Sequence, residues 1–282
     1  ATYAVTLDPI LARDRRLPDA LLIGAQRAGT SSVHDWLSQH PAVDPPKAKE
    51  LHYFDLRFRR PLRWYRYHFP RGSDPGRSRI TFESSPYYLF HPAVPGRVAG
   101  VLPAARLVMV LRDPVARAYS HYRHERRQGR ESLGFVEALE AEAGRLAGQE
   151  AHLLSGPGAR SEAHQRCSYF SRGCYAEQVR RWLEHFPRER FLFLESEAVF
   201  EDPQAAMDRV TDFLEIERFG GFEFPRRNAG GEGPGLDPDT EARLRRAFNA
   251  ANRDLPMLTG QRFRWLEDDA AAASAGRRAP LG

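Results

Sequence analysis

Leu21-Leu22-Ile23-Gly24-Ala25-Gln26-Arg27-Ala28-Gly29-Thr30-Ser31-Ser32 is the stretch on which the fold turns. Ala20 to Ile23 is a short apolar run of the kind that forms a buried strand. Gly24 and Gly29 then bracket a tight turn, and Val33, Trp36 and Leu37 recur at the spacing of one helix face. Strand, glycine-bounded loop, helix leaves backbone N–H groups and the positive end of a helix free to face a phosphate. The spacing Gly24-x4-Gly29 is that of the nucleoside-triphosphate loop, but Thr30 stands where that loop has lysine. Arg27 is the only strong cation inside it. Taken alone, the spacing also suits an ordinary strand-to-helix turn.

The chain of 282 residues is long enough for one large α/β domain. With 41% hydrophobic and 11% aromatic residues it is globular rather than disordered. No apolar run approaches the length of a membrane span and no signal-peptide pattern is visible, so a cytoplasmic location is expected. Starting at Ala1 without an initiator Met, the sequence is expected to be a trimmed chain or a domain cut from something longer. The net charge is +5, carried by arginine, with lysine almost confined to Lys47 and Lys49. Arginine grips phosphate and sulfate bidentately, which makes an anionic ligand natural, although a GC-rich genome produces the same bias. Cys167 and Cys174 make neither a disulfide framework nor a metal site, and are expected as reduced thiols.

Outward from the loop, residues 1–18 read as a lead-in and His40-Pro41 ends the first helix. Lys47 to Asp55 is a loop dense in ionisable groups, and Trp64 to Phe69 reads as a short inward-packing helix. Strands are expected at 79–83, 106–111 and 190–194. Asp113-Pro114, Asp202-Pro203 and Asp237-Pro238 each place a capping aspartate before a proline suited to the first helical position. The helix after Asp113 carries Arg117 and Ser120 on the Asp113 side. Residues 134–150 read as a single charged helix with a solvated face. Tyr175, Val179, Trp182, Leu183 and Phe186 share one face of another helix. The tail from 268 to 282 is low-complexity and expected to be disordered. Alternating strands and helices imply an α/β fold: a central, mainly parallel sheet flanked by helices around a P-loop-like core.

Five segments in order resemble the sulfotransferases that use 3′-phosphoadenosine 5′-phosphosulfate (PAPS), in particular the heparan-sulfate N- and 3-O-sulfotransferase branch and its bacterial relatives. Gly24 to Thr30 resembles the 5′-phosphosulfate loop. Lys49-Glu50-Leu51-His52-Tyr53-Phe54-Asp55 resembles the branch's Lys-Glu-x-His-Phe-Phe-Asp segment. Glu83-Ser84-Ser85-Pro86-Tyr87 resembles its Glu-Lys-Ser/Thr-Pro-x-Tyr segment. Leu111 to Ser120 resembles the 3′-phosphate segment, and Gly173 to Pro187 the helix that follows it. The resemblance spans about residues 19–266 and implies one sulfotransferase domain over 19–267.

The resemblance implies roles. The N–H groups of Ala28, Gly29, Thr30, Ser31 and Ser32 would hold the 5′-phosphosulfate, with Arg27 neutralising charge on the leaving phosphate. Arg112 and Ser120 would bind the 3′-phosphate; by residue type alone Arg112 serves equally as an ion-pair partner. Tyr175 would contact the adenine, or else be a core aromatic. Glu50 would be the base that takes the acceptor proton, with its pKa raised in a desolvated cleft, and His52 and Asp55 would orient it or the acceptor. No metal is needed. The acceptor is expected to be a small molecule or a carbohydrate, with no nucleic-acid partner. The aromatics Tyr53, Phe54, Trp64, Tyr87, Tyr88, Tyr169 and Phe170 suit an acceptor cleft or a core.

Three departures stand out. Arg27 replaces the branch's usual lysine, keeping the charge but not a proton-donor role. Ser84 replaces a lysine, removing a cation from the acceptor side. Arg226 to Gly231 occupies the place of a further cofactor loop without the animal enzymes' cysteine pair, leaving Arg227 as a candidate contact. The alternatives are a P-loop kinase or NTPase, which the missing lysine and the lack of a clear magnesium aspartate oppose, and a non-catalytic nucleotide-binding module.

Overall fold

Two adjacent strands carry the architecture, β1 (Ala20–Gly24) and β3 (Arg106–Leu111), each an apolar run apart from Arg106 at the start of β3. Such runs, rather than alternating ones, belong to parallel strands covered on both faces. The computed structural model describes residues 14–72, 79–225 and 235–266. In it β1 and β3 lie side by side at the centre of a parallel sheet in the order β2-β1-β3-β4, with β2 (Phe82–Ser84) and β4 (Phe191–Glu195) outside. The register places Leu21 opposite Glu83 and Leu107, and Val110 opposite Leu194. Leu21, Ile23, Leu107 and Val110 have no exposed surface, each burial stabilising the fold by roughly 1.5–3 kcal/mol.

The helices are α1 (Thr30–Leu37), α2 (Leu62–Arg66), α3 (Val94–Val101), α4 (Pro114–Arg127), α5 (Phe135–Leu146), α6 (Gln149–Leu154), α7 (Glu162–Arg166), α8 (Tyr175–Leu183), α9 (Ser196–Glu201), α10 (Pro203–Leu214), α11 (Pro238–Ala251) and α12 (Leu255–Thr259). The three Asp-Pro starts behave as read. Asp113 Oδ1 accepts from the N–H of Val115 (2.8 Å) and Ala116 (3.2 Å), Asp202 from Ala205 (3.0 Å) and Asp237 from Thr240 (2.9 Å). The α8 face packs inward, with Tyr175, Val179 and Trp182 fully buried.

Several expectations shift. The strand expected over 79–83 forms only at Phe82–Ser84, because Ile80 is diverted into an isolated bridge to Val43. The helix expected over 134–150 breaks after Leu146, where Gly148 turns into the left-handed region at φ 72°, and restarts as α6. Its face is not simply solvated: Ala138 and Glu142 are buried, and the Glu142 carboxylate accepts from the N–H groups of Phe170 and Ser171 at 2.7 and 2.8 Å. Arg117, one turn after Asp113, is also fully buried, and its guanidinium donates to the Tyr169 carbonyl. The residues from 1 to 13, the segment around Arg227 and the tail from 268 to 282 lie outside the described residues.

Candidate active site

The turn after β1 works through two glycines. A Cβ on Gly24 would come within 2.7 Å of Leu89 Cβ, so only a bare backbone passes there. Gly29 sits at φ 91°, and a Cβ on it would strike the Phe200 ring at 2.6 Å. Gly29 is also the N-cap of α1, and unlike Asp113, Asp202 and Asp237 it offers no side chain to the first turn. The first N–H groups of a helix have no intrahelical partner. Here they belong to Thr30 and Ser31, which with Gly29 and Arg27 line a cleft of about 730 Å³. Ala28 and Ser32, expected in the cradle, do not line it. Both are fully buried, and their N–H groups bond inward to the carbonyls of Ala25 (3.2 Å) and Gly29 (3.0 Å).

The opposite wall is the start of α4. Arg27 Nε donates to Ser120 Oγ at 3.1 Å, and Arg112 Nη1 donates to the Arg27 carbonyl at 3.0 Å. Residues 27, 112 and 120 are thus brought together, and all three line the cleft. Burial lowers the Arg27 pKa, and so does the charge of Arg127 and of Arg112. The positive charge gathered around Arg27 makes a centre suited to an anion. Tyr175 is not part of this wall. It has no exposed surface, its hydroxyl donates to the Arg112 carbonyl at 2.9 Å and its ring packs on Trp265. It is a core residue that holds Arg112 from behind.

The third wall is the loop carrying Glu50. Glu50 and His52 both adopt the left-handed region, at φ 57° and 52°, a conformation that costs a non-glycine residue roughly 1–2 kcal/mol. Glu50 Oε2 lies 3.6 Å from His52 Nε2, and His52 Nδ1 lies 2.7 Å from Asp55 Oδ2. Burial works to lower the His52 pKa, but the bonds and charges of Asp55 and Glu50 outweigh it and carry it to about 10. His52 is therefore an imidazolium at neutral pH, clamped between two carboxylates. The expectation of a raised Glu50 pKa is overturned. The contact with His52 lowers it, against the opposing effect of burial, and the Lys49 ammonium at 3.4 Å lowers it further. Glu50 is an ionised carboxylate on the cleft wall.

Residues 17–220 match the family model described as the sulfotransferase domain. The chain belongs to this family. It is 29% identical to human heparan sulfate glucosamine 3-O-sulfotransferase 3A1 over 94% of this chain and 65% of that protein. It is 30% identical to mouse heparan sulfate glucosamine 3-O-sulfotransferase 6 over 89% of this chain and 74% of that protein. Against the human relative the chain thus spans about two thirds of the length. The crystal structure of a sulfotransferase from Alicyclobacillus acidocaldarius superposes with a TM-score of 0.72 at 27% identity, covering 89% of this chain and all of that one.

In this sulfotransferase domain, several site residues escaped the sequence reading. Lys49 Nζ donates to Ser31 Oγ at 2.5 Å, so the cation missing after Gly29 arrives from the next loop. Its place beside Glu50 is visible in the sequence, whereas its contact across to α1 is not. Arg123 and Arg127 also line the cleft, three and seven residues after Ser120, and helical periodicity alone would have found them. Gln26 is held by buried Arg172, which donates to its Oε1; nothing local signals that pairing. The aromatics divide: Tyr53, Phe54, Tyr87, Tyr88 and Tyr169 are buried, while Trp64 and Phe170 are only partly so. Neither of the two lines the cleft. Both cysteines are free thiols, and burial pushes the Cys174 thiol up to about 12. No cluster of His, Cys, Asp and Glu suited to a metal occurs among the described residues.

Proposed function

We propose that this domain transfers a sulfuryl group from PAPS to a hydroxyl or amine of a carbohydrate or small-molecule acceptor, with Glu50 as the base. The observation that carries this reading is the convergence of Arg27, Arg112 and Ser120 on one wall of the cleft, opposite an uncapped helix start. A ligand with two anionic ends fits that pair of sites. Thr30, Ser31, Lys49 and Arg27 would hold the 5′ end, and Arg112 with Ser120 the 3′-phosphate. Arg227 belongs to the same proposal as a further contact. PAPS supplies, when bound, a sulfuryl group on a phosphate leaving group.

The acceptor must lose a proton as its oxygen or nitrogen bonds to sulfur. Glu50, ionised and facing the cleft, takes that proton. The imidazolium of His52 fixes the Glu50 carboxylate through the 3.6 Å contact, and Asp55 fixes the imidazolium. Arg27 faces the charge that builds on the departing phosphate oxygen. The names of the relatives, which specify heparan sulfate glucosamine, support a sugar as acceptor. A cytoplasmic location is part of the same proposal; no helix among the described residues is long and apolar enough to cross a membrane. The kinase reading lacks support, since the oxygens of Asp113 are committed to the α4 cap and to Arg245 at 3.2 Å.

Calorimetric titration with 3′-phosphoadenosine 5′-phosphate, beside AMP and ATP, tests the proposal on wild type and Arg112→Ala. The bisphosphate is expected to bind selectively, and Arg112→Ala to weaken it by roughly ten- to a hundredfold. Equal binding of all three nucleotides, or of none, would sink the reading.

A further inference from the structure

We infer that Glu83 is a positioning residue for the Glu50 loop, a buried carboxylate that fixes the backbone of residues 52–54 through two hydroxyl groups. The inference rests on the reading of Glu50 and His52 as the catalytic pair. Glu83 lies in β2, opposite Leu21 of β1, and has no exposed surface. Among the described residues no salt bridge reaches it. It is met instead by three hydroxyl donors: Tyr65 on Oε2 at 2.5 Å, and Ser85 and Tyr88 on Oε1 at 2.8 and 2.7 Å.

The direction of these bonds matters. A hydroxyl has one proton and two lone pairs. Because Ser85 and Tyr88 give their protons to Glu83, their lone pairs remain as acceptors. Ser85 Oγ takes the N–H of His52 at 3.2 Å. Tyr88 Oη takes the N–H of Tyr53 at 2.8 Å and of Phe54 at 3.2 Å. Consecutive backbone donors immediately after two left-handed residues are therefore tied to one buried acceptor. A further bond, from Glu50 N–H to the Ser84 carbonyl at 3.0 Å, ties the same loop to the same strand. These N–H groups all bond to residues 84, 85 and 88, so the backbone that carries the unusual φ angles of Glu50 and His52 is held from outside the loop. Burial pushes the Glu83 carboxyl up to about 7, and the three hydroxyl bonds oppose that rise.

The two branches of the hub separate positioning from core filling. Tyr65 touches Glu83 but none of the 52–54 N–H groups, whereas Ser85 and Tyr88 connect them to it. The test compares Tyr88→Phe and Ser85→Ala with Tyr65→Phe, each read by NMR titration of the His52 ring, by exchange of the 52–54 amides and by affinity for 3′-phosphoadenosine 5′-phosphate. In Tyr88→Phe and Ser85→Ala the His52 titration is expected to fall from about 10 toward its free value by about one unit or more. Exchange of the affected amides is expected to accelerate by at least about tenfold. Nucleotide affinity should stay within about twofold, and Tyr65→Phe should leave His52 unmoved even where it melts lower. Folded Tyr88→Phe and Ser85→Ala proteins with an unchanged His52 titration would overturn the inference, as would an equal shift in Tyr65→Phe. Glu83→Gln, which puts an amide donor where a carboxylate oxygen was, should act like Tyr88→Phe; where it does not fold, the hydroxyl variants decide. The His52 readout needs neither cofactor nor acceptor, so failure to bind the nucleotide in wild type would count against the proposed function alone.

Discussion

The cradle after β1 and the loop around Glu50 face each other across one cleft, and they are held in opposite ways. The cradle is shaped from within. Its unusual backbone falls partly on glycine, its anion-facing groups are the first turn of α1, and a single covalent stretch from β1 to α1 contains nearly all of it. The Glu50 loop is shaped from without. Its left-handed residues are a glutamate and a histidine, and although Asp55 of the same loop clamps the imidazolium, its backbone donors are taken by side chains of residues 85 and 88, outside it. A self-contained site is written in local sequence; a site held by its neighbours is written in several places at once.

The sharpest way to break the comparison is at the chemistry. Glu50→Gln keeps the shape of the loop and removes the proposed base, so turnover should drop by roughly 10²–10⁴-fold while nucleotide affinity holds. Comparable loss of both would mean that Glu50 belongs to the cradle. Next in size is the cradle itself. Gly29→Ala puts a methyl group into the Phe200 ring at a φ of 91°. It should cost about 2–4 kcal/mol in denaturant unfolding and remove nucleotide binding with it.

Asp55→Asn probes the ion pair inside the loop. The His52 pKa is raised in the folded protein, so the stability it lends is fully present below the unfolded value of about 6.5 and disappears as pH climbs through about 10. The substitution should therefore destabilise the protein at about pH 6 and make no difference near about pH 11. Equal destabilisation at both would show that the imidazolium pair is not the source. The smallest effect is a flat one. With the Glu50 pKa lowered, activity should lose nothing between about pH 8 and pH 5, and its acid limb should begin only below the ordinary glutamate value of about 4.3. An acid limb near neutrality would reinstate a raised pKa.

This asymmetry also sets how much could be read in advance. The run of Ala20 to Ile23, the bracketing glycines and the apolar run of 106–111 gave the sheet and its phosphate turn, because hydrophobic period and glycine placement are local properties. The Asp-Pro helix starts were legible for the same reason. Lys49 was visible as a residue but not as the cation on Ser31, since that contact crosses 18 positions. Tyr175 stayed open between adenine contact and core because an aromatic beside a binding wall and one behind it have the same helical spacing; burial tells them apart. The Glu50 pKa was misjudged because desolvation was weighed without the imidazolium and the ammonium on either side.

One adjacency has a practical consequence for redesign. Lys49 reaches the helix start and Glu50 lines the cleft from consecutive positions, so under the proposed function the two sides of the reaction share a single peptide bond. Length variation between them would misalign donor and acceptor together, and a library that randomises acceptor choice should leave 49–55 at fixed length. Insertions belong instead at Pro45-Pro46 or in the exposed stretch near Arg59 and Arg60, where the loop can grow without changing the spacing between the two chemistries.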